Sequence, residues 1–265
     1  QDVQVNYMKQ TRKMKRRRRR RLRKGFKVLF IATPIIVALV LIVVYGFSLK
    51  SIETSLDLNQ YTTEEVKAYL DNKKIDNTLL FWIKNKIGKS DDIELLSKYS
   101  VKMLSPSKVK IIGYENKLKG YVVENNVNCY FDRNGKVLKI SSDKLKSIPK
   151  VEGLRYNKIT LYQKIDMKKE KVLNSLLTVV NSIEQYNYTI KKVIVNDSSE
   201  TSLVMDKLQV DLGKTTNLDK KLKDLNDMYD EVKGYDGVLN MKIANEEGMY
   251  TIKKNDNSAG KKSKK

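Results

Sequence analysis

The longest apolar run in the chain lies between Val28 and Leu49, where VLFIATPIIVALVLIVVYGFSL holds 22 residues without a charge. As a helix this run spans about 33 Å, enough to cross a hydrocarbon core of about 30 Å. Pro34 falls in its first third, where a kink is tolerated because neighbouring turns re-satisfy the freed backbone groups. Tyr45 and Phe47 stand near its outer end, at the interface that aromatic side chains favour. The run exceeds the core of about 7–15 residues expected of a signal peptide, and VYGFSLKS offers a poor cleavage site. A buried helix of a soluble fold seldom carries so long an uncharged stretch. Residues 28–49 are therefore read as a single transmembrane helix, and no second run of this kind follows.

Beyond it the pattern shortens. Leu56 and Leu58 alternate around Asp57 in residues 49–58, which predicts a strand. Thr62 and Glu65 form an S/T-x-x-E capping box, and Val66, Tyr69 and Leu70 then fall at helical spacing, so a helix is predicted over 63–71. Asn77 or Thr78 caps a second helix, with Leu79, Leu80, Ile83 and Ile87 as its apolar face and Gly88 at its end. Ser90-Asp91-Asp92 opens a third turn of helix containing Ile93, Leu95 and Leu96. Val101 and Met103 lead through a turn at Pro106 into a strand with Val109, Ile111 and Tyr114, and Leu118 to Val123 reads as another strand. Asn134-Gly135, between apolar runs, predicts a type I′ hairpin. Ile148 to Gly153 is a turn-rich connector. Val172, Leu173, Leu176, Leu177, Val180 and Ile183 predict a helix over 168–185, and Leu218, Leu222, Leu225, Tyr229 and Val232 a last one ending before Gly234. Strands are predicted around Ile190–Val195, on both sides of Asp206, at Val238–Ile243 and at Met249–Lys253. The tail NDNSAGKKSKK is polar and read as disordered.

Charge then sets the orientation. The sequence carries 53 Lys and Arg against 31 Asp and Glu, a net +22. Twelve of the basic residues fall within positions 1–24, including the unbroken run Arg16 to Arg21. Such a flank, with Lys27 at the edge of the span, opposes translocation of the N-terminus. The expected arrangement is a cytoplasmic tail at 1–27, the span at 28–49, and residues 50–265 across the membrane. The Arg run is read as a topology determinant that also touches anionic lipid headgroups. Binding of nucleic acid is the competing reading, but no aromatic residue interrupts the run to stack on bases. The first residue is Gln, so the native start is expected to be missing.

Chemistry is sparse. With no His there is no imidazole relay or imidazole metal site, and one Cys leaves no intrachain disulfide or zinc ribbon. Cys129 is expected to be half-buried and without an activator. The pairs Glu64-Glu65 and Asp91-Asp92 are expected in helix first turns, where the macrodipole favours negative charge, rather than in a catalytic role. No Gly-rich phosphate loop is present. The expectation is a non-enzymatic binding protein without cofactor, metal or small-molecule substrate, whose last strand offers an unpaired edge to a partner.

Several motifs, in collinear order, carry a family resemblance. Thr62-Thr63-Glu64-Glu65-Val66, Ser105-Pro106-Ser107-Lys108-Val109-Lys110-Ile111, Cys129-Tyr130-Phe131-Asp132-Arg133-Asn134-Gly135-Lys136-Val137, Ile148-Pro149-Lys150-Val151-Glu152-Gly153, Val210-Asp211-Leu212-Gly213 with Lys220-Lys221-Leu222, and Val238-Leu239-Asn240-Met241-Lys242 resemble the bacterial cell-division family FtsQ, called DivIB in Gram-positive bacteria. Asn240 stands where the family usually has Asp, and the first strand lacks the family's V-x-G-N ending. The resemblance implies an α+β architecture: the span, a POTRA-type β-α-α-β-β module over 50–120, a mixed β-domain over 121–254 and a tail at 255–265. It also implies a divisome scaffold at the septum that binds FtsB/DivIC-like and FtsL-like single-span proteins and helps regulate septal peptidoglycan synthesis. Carried over, the partner site falls on Ile243, Met249, Tyr250, Thr251 and Ile252, with Glu246 and Glu247 as salt-bridge formers. The competing classes are a membrane-anchored cell-wall enzyme and a membrane tether for nucleic acid.

Overall fold

The computed structural model describes residues 31–186, 188–243 and 249–254. The predicted basic tail at 1–27, the start of the predicted span at 28–30 and the predicted tail at 255–265 lie outside the described residues. The protein is mixed α+β and divides into two compact units, Gln1–Tyr114 and Glu115–Lys265.

In the first unit, α1 (residues 31–46) is a helix whose apolar side chains are largely exposed. No helix among the described residues is long and apolar enough to cross a membrane; the predicted span starts before the first of them. The end of α1 is bonded into the folded module. The Asn77 side-chain amide donates to the Val43 carbonyl at 2.8 Å, satisfying one of the carbonyls that a helix C-terminus leaves open. Thr78 N donates to Phe47 O at 2.8 Å and Leu49 N to Asp76 O at 2.7 Å.

The module runs β1 (Ser51–Leu56), α2 (Thr63–Asn72), α3 (Thr78–Lys86), β2 (Leu96–Ser105) and β3 (Lys108–Glu115), the order that the sequence predicts. Its sheet has the order β1-β3-β2, with β1 parallel to β3. The capping box forms: Thr62 Oγ1 accepts from Glu65 N at 3.2 Å, and Thr62 N donates to Glu65 Oε2 at 2.8 Å. It fixes the helix start so that Val66, Tyr69 and Leu70 are buried, as are Ile52, Val109 and Ile111 of the strands.

Two expectations fail here. The face assigned to α3 is the wrong one: Leu80, Ile83 and Ile87 are exposed, whereas Thr78 and Phe81 are buried. Asn85 accounts for the choice, because its side chain accepts from Val101 N at 2.9 Å and ties that side of the helix to β2. The predicted third helical turn is absent, and residues 90–95 form an irregular lead into β2. Tyrosines satisfy its backbone instead. The Tyr99 hydroxyl donates to Asp91 O at 2.5 Å, and the Tyr69 hydroxyl accepts from Glu94 N at 3.1 Å. Asp91 and Asp92 therefore stand in no helix first turn.

The second unit adds β4 (Gly120–Glu124), β5 (Val127–Phe131), β6 (Val137–Ser141), β7 (Lys150–Glu152), β8 (Tyr156–Lys158), β9 (Asp166–Met167), α4 (Glu170–Ser182), β10 (Lys192–Val195), β11 (Thr201–Val204), β12 (Leu208–Gly213), α5 (Leu218–Val232), β13 (Gly237–Asn240) and β14 (Thr251–Lys254). Nine of these strands form one sheet in the order β14-β13-β12-β11-β10-β7-β4-β5-β6, and β8 and β9 pair apart from it. Hairpins make the antiparallel pairs. Among the parallel pairs, β7/β10 and β12/β13 have α4 and α5 in their connections, whereas β4 and β7 are joined through β5 and β6, since parallel neighbours need a crossover. Both helices join one continuous apolar core with the sheet. The register aligns Val151, Val193, Leu203, Val210, Leu239 and Ile252 in a single row across six strands. Cys129 is fully buried in this core rather than half-buried, and burial pushes its thiol pKa up.

The hairpin at Asn134-Gly135 is present but is not type I′. Only Gly135 has positive φ, +77°. The Asp132 carboxylate accepts from Asn134 N and Lys136 N, at 2.8 and 2.9 Å, and so folds a longer loop closed by Gly135 N donating to Asp132 O. The predicted connector at 148–153 instead contains β7 (Lys150–Glu152), an interior strand of the sheet; Gly153, just after it, has φ +86°, and a Cβ there would lie 1.9 Å from Val195 O.

Two substitutions test these local devices in denaturant unfolding of the full chain. Thr62→Ala should lower stability by about 1 kcal/mol through loss of the cap. Gly153→Ala should cost more than about 1 kcal/mol, because both its φ and the adjacent strand exclude a side chain.

Candidate partner-binding edge

The nine-stranded sheet ends at β14, which pairs with β13 on one side only, and its four residues are exposed. Among the described residues no strand covers its other side, so a row of backbone donors and acceptors faces outward there. The sequence predicts this edge from chain order alone, as the last strand with no successor.

The alternation of β14 and the residues before it separates two sets of side chains. Ile252 stands opposite Leu239 and ends the apolar row of the core face, still 41% exposed because no further strand covers it among the described residues. Tyr250 packs against the core, and its hydroxyl donates to Asp224 Oδ2 on α5 at 2.8 Å. Burial, and then this bond, pushes the phenol pKa up to about 12. Met249 is exposed, and Thr251 is exposed on β14. Ile243 follows the end of β13 and is 85% exposed. Glu246 and Glu247 lie outside the described residues. The structure thus brings Tyr250 and Ile252 to the side of α5 and the core, and leaves Ile243 and Met249 in the open.

The neighbouring elements explain why the edge is firm. Asn240 Oδ1 accepts from Lys242 N at 3.0 Å and turns the chain at the end of β13. Lys242 Nζ reaches Glu200 Oε2 at 3.0 Å. Behind the edge, α5 is held by Lys221, a buried cation that the sequence shows only as one of a pair of lysines. Its ammonium donates to the carbonyls of Leu212, at 2.6 Å, and Lys214, at 3.3 Å, and burial pushes its pKa down. A tyrosine cluster braces the other side of α5. Tyr186 stacks on Tyr188 with ring centroids 5.3 Å apart, Tyr188 meets Tyr229 at 4.9 Å, and the Tyr188 hydroxyl donates to Leu222 O at 3.1 Å. Neither Lys221 nor this cluster stands out in the sequence, because each joins residues far apart in the chain.

Among the described residues no group of three or more His, Cys, Asp or Glu is placed to hold a metal ion. The chemistry that the edge offers is main-chain pairing plus exposed apolar side chains.

Residues 120–245 match the family described as FtsQ/DivIB, C-terminal related. The resemblance read from the sequence is thereby shown over residues 120–245, and that family implies a cell-division role. Among curated proteins none matches the sequence.

The Tyr250–Asp224 bond has a pH signature. An unfolded phenol loses its proton near pH 10, whereas folded Tyr250 keeps its proton up to about 12. Its contribution is therefore complete below about pH 10 and is lost as the pH rises through about 12. Tyr250→Phe should cost about 1 kcal/mol at neutral pH and flatten, without abolishing, the alkaline loss of stability measured by denaturant midpoints from pH 8 to 12. Tyr99, also raised to about 12 by burial, keeps part of the slope.

Proposed function

We propose that this chain is a non-enzymatic scaffold of the bacterial division septum, one that captures small single-span division proteins of the FtsB/DivIC and FtsL types by strand addition at β14 and so helps regulate septal peptidoglycan synthesis. The observation that carries the reading is the open edge of β14, directly after the segment that matches the cell-division family. A partner strand would pair with the outward backbone of β14 and set its apolar side chains on Met249, Ile243 and the exposed flank of Ile252. Main-chain bonds would provide affinity, and these anchors selectivity. Glu246 and Glu247 would add ion pairs.

The uncharged run at 28–49 and the basic flank before it support a single-pass anchor with the N-terminus in the cytoplasm and residues 50–265 outside. The Arg-rich tail would rest on anionic lipid. The β-α-α-β-β order of the first unit supports a POTRA-type module serving recruitment.

The reading is tested by solubilising membranes that hold the full chain, retrieving it, and identifying what it retains by mass spectrometry. Small single-span membrane proteins are expected with the native sequence. The double variant Ile243→Asp, Met249→Asp should retain them at least about tenfold more weakly while melting as the parent does, since both side chains are solvent-exposed. Undiminished retention would remove this edge from the partner site. Retention of no such proteins by the native chain would overturn the scaffold reading.

A further inference from the structure

The outward face of α3 is apolar without a cover in the described structure. Leu80 is 51% exposed, Ile83 37% and Ile87 61%, and their spacing of three and four residues aligns them in one stripe. The opposite face is apolar too, with Phe81 buried against the sheet side and its ring 6.2 Å from that of Tyr99. With the inner face already packed, an exposed apolar stripe of this kind calls for an apolar neighbour.

Three observations identify that neighbour. First, α3 begins where α1 ends: Asn77 bonds to Val43 O, Thr78 N to Phe47 O and Leu49 N to Asp76 O. If 28–49 spans the membrane, these bonds put the first turn of α3 at the level where the chain leaves the bilayer. Second, residues 77–90 contain three lysines and no acid. On the helix, Lys84 and Lys86 flank the stripe on its two sides, which suits a surface of anionic headgroups, although Lys84 also pairs with Asp91 at 2.8 Å. Third, Trp82 lies half-buried about 100° round the helix from Ile83, on the side that Lys86 borders, with the Lys86 ammonium 5.1 Å from its ring centre, an aromatic–basic pair of the kind that favours the lipid–water boundary.

We infer that α3 is an interfacial helix, lying against the outer leaflet beside the exit of α1 with Leu80, Ile83 and Ile87 in the acyl boundary and Lys84 and Lys86 at anionic headgroups. This rests on the anchoring proposed above. It assigns the first module a second attachment to lipid, independent of the partner edge.

Trp82 is the sole tryptophan of the sequence, so its fluorescence reports this contact without labelling. The full chain is reconstituted into vesicles of phosphatidylcholine alone or with phosphatidylglycerol, each with or without lipids brominated near the top of the acyl chains. Flotation with the vesicles checks the anchor first. Brominated lipid should then diminish Trp82 emission, more so with phosphatidylglycerol present, and acrylamide in the buffer should quench it less than it quenches the lipid-free chain in detergent. The variant Ile83→Ser, Ile87→Ser changes only exposed positions; it should still float and fold, judged by circular dichroism, but lose the lipid quenching. A chain that does not float overturns the anchoring and this inference with it. One that floats while Trp82 remains untouched by brominated lipid overturns the inference alone and assigns the stripe to a protein partner.

Discussion

Burial of one face of the nine-stranded sheet governs the second unit. The row Val151, Val193, Leu203, Val210, Leu239 and Ile252 runs across six strands, and the core that encloses it also takes in α4 and α5. Those helices exist as crossovers because β7/β10 and β12/β13 are parallel. Parallel pairing therefore creates the cover that the apolar face requires, and α5 is the piece of that cover nearest the outer edge. Lys221 and the tyrosine cluster hold α5 in place, and α5 in turn holds Tyr250 through Asp224.

An edge strand built in this way is presented without being loose. Tyr250, just before the strand, packs against the core, and Ile252 continues the apolar row at the exposed edge. The open side of β14 lets a partner add to the backbone without dismantling the core. It also means that changes at Tyr250 mix folding with recognition, whereas changes at Ile243 separate them. A sheet with uncovered backbone at its end invites indiscriminate pairing. Here Lys253 and Lys254 at the end of β14 place charge where unwanted association would start.

Local signals were legible in the sequence where the bonds they imply are local. The capping box at Thr62 and Glu65 closes over three residues, and it forms as written. Asn134-Gly135 marks a hairpin, but the turn depends on the Asp132 carboxylate, so its type was not in the dipeptide. The apolar period of α3 shows a helix and cannot show which side faces in, because Phe81 and the stripe of Leu80, Ile83 and Ile87 are equally apolar. Asn85, a polar residue that bonds to β2, decides the matter. Ile93, Leu95 and Leu96 were spaced for a helix, but Ile93 and Leu95 lie in an irregular lead whose backbone two tyrosine hydroxyls satisfy, and Leu96 opens β2. The edge itself follows from chain order, whereas the hold of Asp224 on Tyr250 spans 26 positions and leaves no periodic trace.

The bonds from Asn77, Thr78 and Leu49 leave almost no slack between α1 and the module it carries. Joints of this kind convey torque. A neighbouring helix that gripped α1 and turned it about its axis would swing the whole β1–β3 sheet with it, as a shaft turns a fixed vane. Lateral helix association and the attitude of the folded head would then be a single mechanical variable.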